Sequence, residues 1–111
     1  MLARARAISP GAIDYRRADL ATLVLPESSC DFAWSSLALH YLEYLAPVFA
    51  RVHRALVPGG EFVFSMEHPV CMAAENPGWL PSAEGGKVWP VSHYAEEGPR
   101  ITHWLAPGVV K

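Results

Sequence analysis

DFAWSSLALHYLEYLAPVFARVHRALVPGGEFVFSMEHP, residues 31–69, is the stretch that decides the fold. It begins with Asp31–Ser35, a short apolar run opened by an acid and closed by serine, which is typical of a strand buried on both faces. It ends with Glu61–Met66 and the three residues after it, and this second run is rich in phenylalanine and valine, as strands are. The sequence therefore predicts two strands separated by about 25 residues.

The segment between these strands has helical periodicity. Its apolar positions recur at spacings of three and four residues, which places them along one face of a helix: Leu42, Leu45, Phe49, Val52 and Leu56. Pro47 is tolerated in a first turn, so we expect the helix to begin at about Ala46. We expect it to end at Pro58–Gly60. Strand, helix and strand in this order predict a βαβ unit, with parallel strands joined by a right-handed crossover.

Composition excludes several classes of protein. The chain has 111 residues, of which 51% are hydrophobic and 18% charged, as in one modest globular domain. A net charge of -2 argues against a nucleic-acid or anionic-membrane partner. No apolar run approaches the roughly 18 residues of a membrane span. The two cysteines, Cys30 and Cys71, form no CxxC pair, which favours a reduced cytoplasmic setting, and the five histidines lack zinc-ligand spacing, so we expect no metal.

The residues before the βαβ unit give weaker signals. Met1–Ala7 consists of strong helix formers with nothing before it to cap a helix, so it resembles the end of a longer helix. Ile13–Arg17 alternates apolar and polar residues, which predicts an edge or half-buried strand. Asp19 follows that predicted strand directly.

The residues after His68 follow a different pattern. From Pro69 to Lys111 the chain is rich in proline, glycine and tryptophan and has no sustained periodicity, so residues 69–111 are predicted to be an irregular lid or substrate-loop region beside a core of residues 1–68. Short strands are expected at Arg100–Leu105 and Val109–Lys111. We expect the three tryptophans of this region to cover a sheet face rather than to form a cofactor site: Trp79, Trp89 and Trp104.

Three of these features together resemble a known family. Asp19 after a strand, the run Asp31–Tyr41, and Leu56–Ser65 with its Leu-x-Pro-Gly-Gly motif are similar to class I S-adenosylmethionine-dependent methyltransferases, in particular the UbiE-like and methyltransferase type 11 branch. The resemblance covers residues 1 to about 70. It implies an α/β fold with a partial Rossmann-like, doubly wound sheet, in which Ile13–Arg17, Asp31–Ser35 and Glu61–Met66 are strands three, four and five. It also implies S-adenosylmethionine as cofactor and a small-molecule methyl acceptor.

The glycine-rich cofactor loop of that family has no counterpart in the sequence. Gly59-Gly60 does not replace it, because this pair follows a helix and precedes a strand, whereas the family's loop follows its first strand. We therefore expect the chain to be truncated at both ends relative to the family, with an unpaired edge on strand four that allows a homodimer to form. A catalytically inactive remnant, or a module that binds a partner, is the alternative to an active enzyme.

The resemblance implies the cofactor contacts. Asp19 would accept a hydrogen bond from the adenine amine, with Leu20 beside the ring; the alternative is a loop acid that caps the following turn. Ser35, Ser36 and Leu37, at the carboxyl end of strand four, would contact the methionine part of the cofactor. The alternative for them is a strand end whose polar groups are satisfied by its own serines.

The candidate catalytic residues follow the same two strands. His40 is a candidate base, since histidine exchanges a proton near neutral pH, and Tyr41 a candidate substrate contact; packing of His40 against the helix is the alternative. Glu67 and His68, after the second strand, could orient a substrate or accept its proton. The remaining histidines are expected at the surface: His53, His93 and His103. A hydrolase using Ser35 or Ser65 is disfavoured because no G-x-S-x-G elbow surrounds either serine.

Overall fold

Two parallel strands joined by a helix form the centre of the structure. The computed structural model describes residues 2–9, 11, 13–102 and 108–110. Its first elements, in chain order, are helix α1 (Leu2–Ile8), strand β1 (Cys30–Ser36), helix α2 (Ala46–Ala55) and strand β2 (Leu56–Ser65). β1 and β2 pair in parallel, which confirms the predicted βαβ unit. The predicted N-terminal helix is confirmed as α1, with Met1 outside the described residues.

The start of β2 differs from the prediction. α2 ends at Ala55, three residues before Pro58, and Leu56 already has extended backbone angles of φ -75° and ψ 141°. Proline disfavours helical geometry at the residue before it, so the helix ends early and the Pro-Gly-Gly segment joins the strand. The ladder accommodates this segment as an irregularity, because the partners change from Cys30 with Leu56 to Phe32 with Glu61.

α2 covers one face of this sheet. Phe49 packs against Phe62 and Phe64, with ring centroids 6.0 and 5.6 Å apart, and Ala33 and Ser35 point to the same face by register. The opposite face carries Phe32 and Trp34, which are 51% and 62% exposed, together with the exposed Val63. Within the described residues no element covers that second face.

The third predicted strand is not formed. Residues 13–19 have no regular structure, and the sheet contains β1 and β2 alone among the described residues. A side chain of α1 holds this segment instead, since the Arg6 guanidinium donates to the Tyr15 carbonyl at 2.7 Å. An alternating pattern is typical of a pleated, half-buried surface, but a strand also needs a neighbouring strand to bond its backbone groups. Among the described residues, Ile13–Arg17 has no such neighbour.

The chain after β2 folds back over the end of the sheet. It consists of a 3₁₀ turn (Pro69–Met72), a hairpin of β3 (Leu80–Pro81) and β4 (Lys87–Val88), and an antiparallel pair of β5 (Ile101–Thr102) and β6 (Val109–Val110). The last pair agrees with the two short strands predicted there, although Leu105 and Lys111 lie outside the described residues. The boundary between residues 1–68 and 69–111 stays a prediction.

The hydrophobic core is small for a chain of this length. The buried apolar side chains of the described residues lie around α2 and the sheet end: Leu39, Val48, Ala55, Ala73 and Ala74. The radius of gyration is 18.3 Å, whereas a compact domain of about 100 residues has about 13 Å. Among the described residues, no helix has the length and apolar character to cross a membrane.

Replacing Gly60 tests how closely the start of β2 packs against β1. A Cβ atom at this position would lie 3.0 Å from the carbonyl oxygens of Asp31 and Val57. We therefore expect Gly60→Ala to lower the free energy of unfolding by about 1–3 kcal/mol, as overpacking does. Urea denaturation followed by circular dichroism measures the change. Gly86→Ala is the matched control, because its Cβ would meet nothing within 4 Å, and equal effects of the two changes would contradict the close packing.

Candidate functional site

The carboxyl ends of β1 and β2 form a shared edge. Ser36 lies opposite Ser65 in the ladder, and the Leu37 N–H donates to the Ser65 carbonyl at 2.9 Å and to its hydroxyl at 3.3 Å. Leu37 has a φ of 49°, an uncommon conformation for a residue with a side chain, and its side chain is exposed. Ser65 of β2 thus satisfies the backbone where β1 ends, and Leu37 turns the chain away from the sheet. The cofactor contacts of Ser35, Ser36 and Leu37 stay a prediction.

His40 is held where the two strands end. It lies in the 3₁₀ turn Leu39–Tyr41, which the fully buried Leu39 anchors, and its own side chain is only 8% exposed. Its Nδ1 accepts a hydrogen bond from the Glu67 N–H at 3.3 Å. This bond joins the loop after β1 to the loop after β2. His40 is therefore both buried by packing and held by a specific hydrogen bond.

The second ring nitrogen of His40 is unusual. With Nδ1 accepting, the proton of the neutral ring is assigned to Nε2, which is buried and has no hydrogen-bond partner among the described residues. The Glu67 carboxylate is close, with 3.9 Å between His40 Nε2 and Glu67 Oε1. A buried donor without an acceptor costs roughly 1–3 kcal/mol, so this atom is a point at which a ligand oxygen would be favoured.

Glu67, His68 and Tyr41 surround this point in different ways. Glu67 keeps about a quarter of its side chain exposed, at 28%. His68 is exposed, and its Nδ1 accepts from the Val70 N–H at 3.2 Å, so it caps the 3₁₀ turn that follows. The Tyr41 ring packs on the His40 ring at 4.4 Å between centroids and remains partly exposed.

A cleft of about 480 Å³ opens beside His40 and Glu67. Several ionisable residues that line it were not indicated by the sequence, among them His93 and Arg100. His93 was expected at the surface, and 35% of its side chain is exposed, while its N–H donates to the Ala73 carbonyl at 2.8 Å. Arg100 donates to the His93 and Glu96 carbonyls at 2.9 and 2.7 Å. No periodicity marks these residues; only the fold-back of the chain brings them here.

One ionisable group near the cleft has a perturbed pKa. The Tyr44 side chain is exposed and lies next to Glu43, a lining residue of the cleft. A hydrogen bond to the Glu43 carboxylate and its negative charge both favour the protonated phenol, so the pKa of Tyr44 is raised. Tyr44 is therefore a neutral hydroxyl at the rim near neutral pH.

Asp19 lies outside the cleft. Its Oδ1 accepts from the Ala21 N–H at 2.9 Å, and its carbonyl accepts from the Thr22 N–H at 3.2 Å. Arg51 of α2 fixes this turn by donating to the Leu20 and Ala21 carbonyls at 3.2 and 2.8 Å. Asp19 thus caps this turn, and its carboxylate is exposed at the surface. Its contact with the adenine amine stays a prediction.

A second cavity, of about 510 Å³, lies on the other side of Glu67. Trp79 and Trp89 form its wall, edge to face at 5.5 Å between centroids and 79° between planes. The Trp89 Nε1–H donates to the Val70 carbonyl at 3.1 Å. The prediction that the late tryptophans cover a sheet face is wrong for these two, because the hairpin that carries them packs on the 3₁₀ turn; Trp104 lies outside the described residues.

No metal centre is found in the part of the chain that the structure describes. No group of three or more histidine, cysteine, aspartate or glutamate side chains there is arranged to hold a metal ion. Cys30 is half-buried and Cys71 exposed, and both are free thiols.

Comparison with known proteins gives consistent matches. A family model described as a methyltransferase domain matches residues 1–64. A solved S-adenosylmethionine dependent methyltransferase from Mesorhizobium loti is 60% identical, with a TM-score of 0.92 over 100% of this chain and 51% of that one. A solved protein from Listeria monocytogenes is 31% identical, with a TM-score of 0.86 over the same shares. An uncharacterized protein of Haemophilus influenzae is 35% identical over 83 residues, 73% of this chain and 33% of that protein. The chain thus spans about half the length of these solved relatives and a third of the curated one.

Hydrogen exchange at the Glu67 amide tests its bond to His40. We expect His40→Phe, which fills the space but removes the acceptor, to speed exchange of this amide about fivefold, the value of one hydrogen bond of about 1 kcal/mol. His40→Asn keeps an acceptor at the Nδ1 position and should retain the protection. The Leu37 amide, bonded to the Ser65 carbonyl, is the internal control. Unchanged exchange at Glu67 in His40→Phe would show that the bond contributes nothing.

Proposed function

Because the chain belongs to the methyltransferase-domain family, we propose that it forms the acceptor-facing part of an S-adenosylmethionine-dependent methyltransferase acting on a small molecule. The observation that carries this proposal is the pairing of His40 with Glu67 across the ends of two parallel strands, beside a cleft of about 480 Å³. Open α/β sheets bind their ligands at the carboxyl ends of the strands, and the cleft has the size of a small-molecule site.

The residues that we expect to contact the cofactor lie in two places, the turn at Asp19 and the end of β1. The groups that would hold it are the exposed Asp19 carboxylate with Leu20, and Ser35–Leu37 where β1 ends. Gly60 leaves no room for the cofactor, because the Asp31 and Val57 carbonyl oxygens take the space that a Cβ atom would need. When bound, S-adenosylmethionine supplies a methyl group on a positively charged sulfur.

The geometry divides the acid–base work between two residues. His40 Nδ1 is occupied by the Glu67 N–H, so the neutral imidazole presents a donor at Nε2 and has no free lone pair. The Glu67 carboxylate is therefore the better acceptor for a proton leaving the substrate. His40 would position that carboxylate from 3.9 Å, while His68 serves as a cap and Tyr41 as one wall of the substrate site.

Titration with S-adenosylhomocysteine, the demethylated cofactor, tests the proposal. We expect saturable shifts of the backbone amide signals of Asp19, Ser36 and Leu37 in ¹H–¹⁵N spectra, while Gly85 in the distant hairpin turn stays unmoved. Nuclear magnetic resonance suits the question because it detects weak binding. Absence of any shift at the sheet edge would reject cofactor binding by this chain.

A conservative change at Asp19 tests the adenine contact separately from the turn. Asp19→Asn keeps an oxygen for the Ala21 N–H but replaces the second carboxylate oxygen by a donor, which opposes the adenine amine. We expect the affinity for S-adenosylhomocysteine to fall about fivefold, as for one lost hydrogen bond. The control is Asp14→Asn, since Asp14 is exposed and paired with Arg16. Equal affinity in both variants would leave Asp19 as a turn cap alone.

A partner-binding module is the second candidate function. It is favoured by the uncovered sheet face with Phe32, Trp34 and Val63, and by the outer edges of β1 and β2, which pair with no strand among the described residues. We propose a second copy of the chain as the partner, covering the exposed sheet face and pairing with the outer edge of β1.

Sedimentation equilibrium tests the proposed dimer. We expect a concentration-dependent dimer that Trp34→Lys shifts toward monomer, because a charge there opposes burial of the face. Val88→Lys, at an exposed position of β4, is the control. A monomer at all concentrations, together with cofactor-dependent shifts at the sheet edge, would reject this second candidate.

A further inference from the structure

The cavity lined by Trp79 and Trp89 has the size and the apolar walls of a small-molecule site. Its volume of about 510 Å³ lies within the range of such sites, and apart from one carboxylate its described walls are apolar or weakly polar: Glu67, Val70, Cys71, Met72, Pro77, Trp79 and Trp89. We propose that this cavity holds the planar, apolar ring of the methyl acceptor, whose amine reaches Glu67 beside the cleft of His40. This inference rests on the proposed function and adds the chemical class of the acceptor.

The two tryptophans favour a planar ligand. Trp89 is half-buried and fixed in orientation by the bond from its Nε1–H to the Val70 carbonyl, at 3.1 Å. Trp79 stands edge to face against it and remains 65% exposed, so its ring offers surface to a ligand. Aromatic rings prefer edge-to-face or offset contacts with other rings, and two rings held at 79° present both kinds of surface. A flat, apolar group of one ring fits this wall.

The charge of the cavity favours a cation over an anion. Glu67 is the one acidic residue among the described lining residues, and no arginine or lysine is among them. Arg100 lines the other cleft, where its guanidinium donates to the His93 and Glu96 carbonyls. An anionic ligand would therefore lose water without gaining a positive partner. An ammonium group, by contrast, would gain the carboxylate and the faces of the tryptophan rings.

Glu67 connects this cavity with the site proposed above. Glu67 is a lining residue of both the tryptophan cavity and the cleft of His40, and Met72 is shared as well. A ring held against Trp79 and Trp89, with its amine toward Glu67, would have its nitrogen next to the carboxylate that the proposed function uses as proton acceptor. Glu67 would thus determine both where the nucleophilic nitrogen lies and why an amine is preferred.

Three probes with the same ring and different charges test the proposal: 2-phenylethylamine, 2-phenylethanol and phenylacetate. Each is titrated into the ¹⁵N-labelled chain without cofactor, and the indole N–H signals are followed, with Trp79→Phe and Trp89→Phe used to assign two of them. We expect saturable shifts at Trp79 and Trp89 but not at Trp34, with the amine binding tightest and the carboxylate weakest. No shift at Trp79 and Trp89, or equal affinity for phenylacetate and the amine, would overturn the proposal.

Removal of the charge at Glu67 supplies the matched comparison. We expect Glu67→Gln to weaken the amine about fivefold and to leave the alcohol unchanged, since an exposed ion pair or cation–π contact contributes little more. Glu61→Gln, the same change within β2 and outside the lining of this cavity, should alter neither. An unchanged preference for the amine in Glu67→Gln would overturn the role of this carboxylate. If Glu67→Gln fails to fold, the three probes on the unmodified chain still decide the proposal.

Failure of this inference can be distinguished from failure of the proposed function. The probes are bound without cofactor, and S-adenosylhomocysteine is titrated separately with the amides of Ser36 and Leu37 as readout. Probe binding in the expected order without cofactor shifts would keep the cavity and reject the transferase proposal. Cofactor shifts without probe binding would do the reverse.

Discussion

The parallel pairing of β1 with β2 is the constraint on which the rest of the structure depends. Parallel strands cannot be joined by a tight turn, so the chain must cross over through α2, and both strands then end at the same edge. Ser36 and Ser65 become neighbours although 29 residues separate them in the chain. Gly60 favours this ladder because it lets the start of β2 approach Asp31, where a larger residue would crowd two carbonyl oxygens.

The hydrogen bond from the Glu67 N–H to His40 converts this shared edge into a site. It fixes the loop after β1 relative to the loop after β2, and Glu67 lines two cavities of different character. One cavity is polar and contains His93 and Arg100; the other is apolar and contains two tryptophans. In the proposed function, the Glu67 carboxylate both accepts the proton and sets the preference for an amine.

Much of the central fold was predictable from sequence because its signals are local. The three- and four-residue spacing up to Leu56 and the tolerance of Pro47 in a first turn gave α2, and the apolar runs at Asp31–Ser35 and Glu61–Met66 gave the two strands. The strand at Ile13–Arg17 failed for a physical reason: alternation describes a surface, but a strand exists only with a neighbour to complete its backbone hydrogen bonds. The end of α2 was also misplaced, because an irregular ladder can absorb Pro58–Gly60.

For the site, the sequence by itself determined that His40, Glu67 and His68 follow two parallel strands and therefore lie at one edge. Only the tertiary structure decided that His68 caps a turn, that Asp19 caps another, and that His93 joins the cleft. It also decided that Trp79 and Trp89 line a cavity instead of covering the sheet. The reason is the distance along the chain between interacting residues. Strand and helix periods are fixed by neighbouring residues. The fold-back of residues 69–100 depends instead on contacts such as Trp89 with the Val70 carbonyl and His93 with the Ala73 carbonyl, which no local pattern encodes.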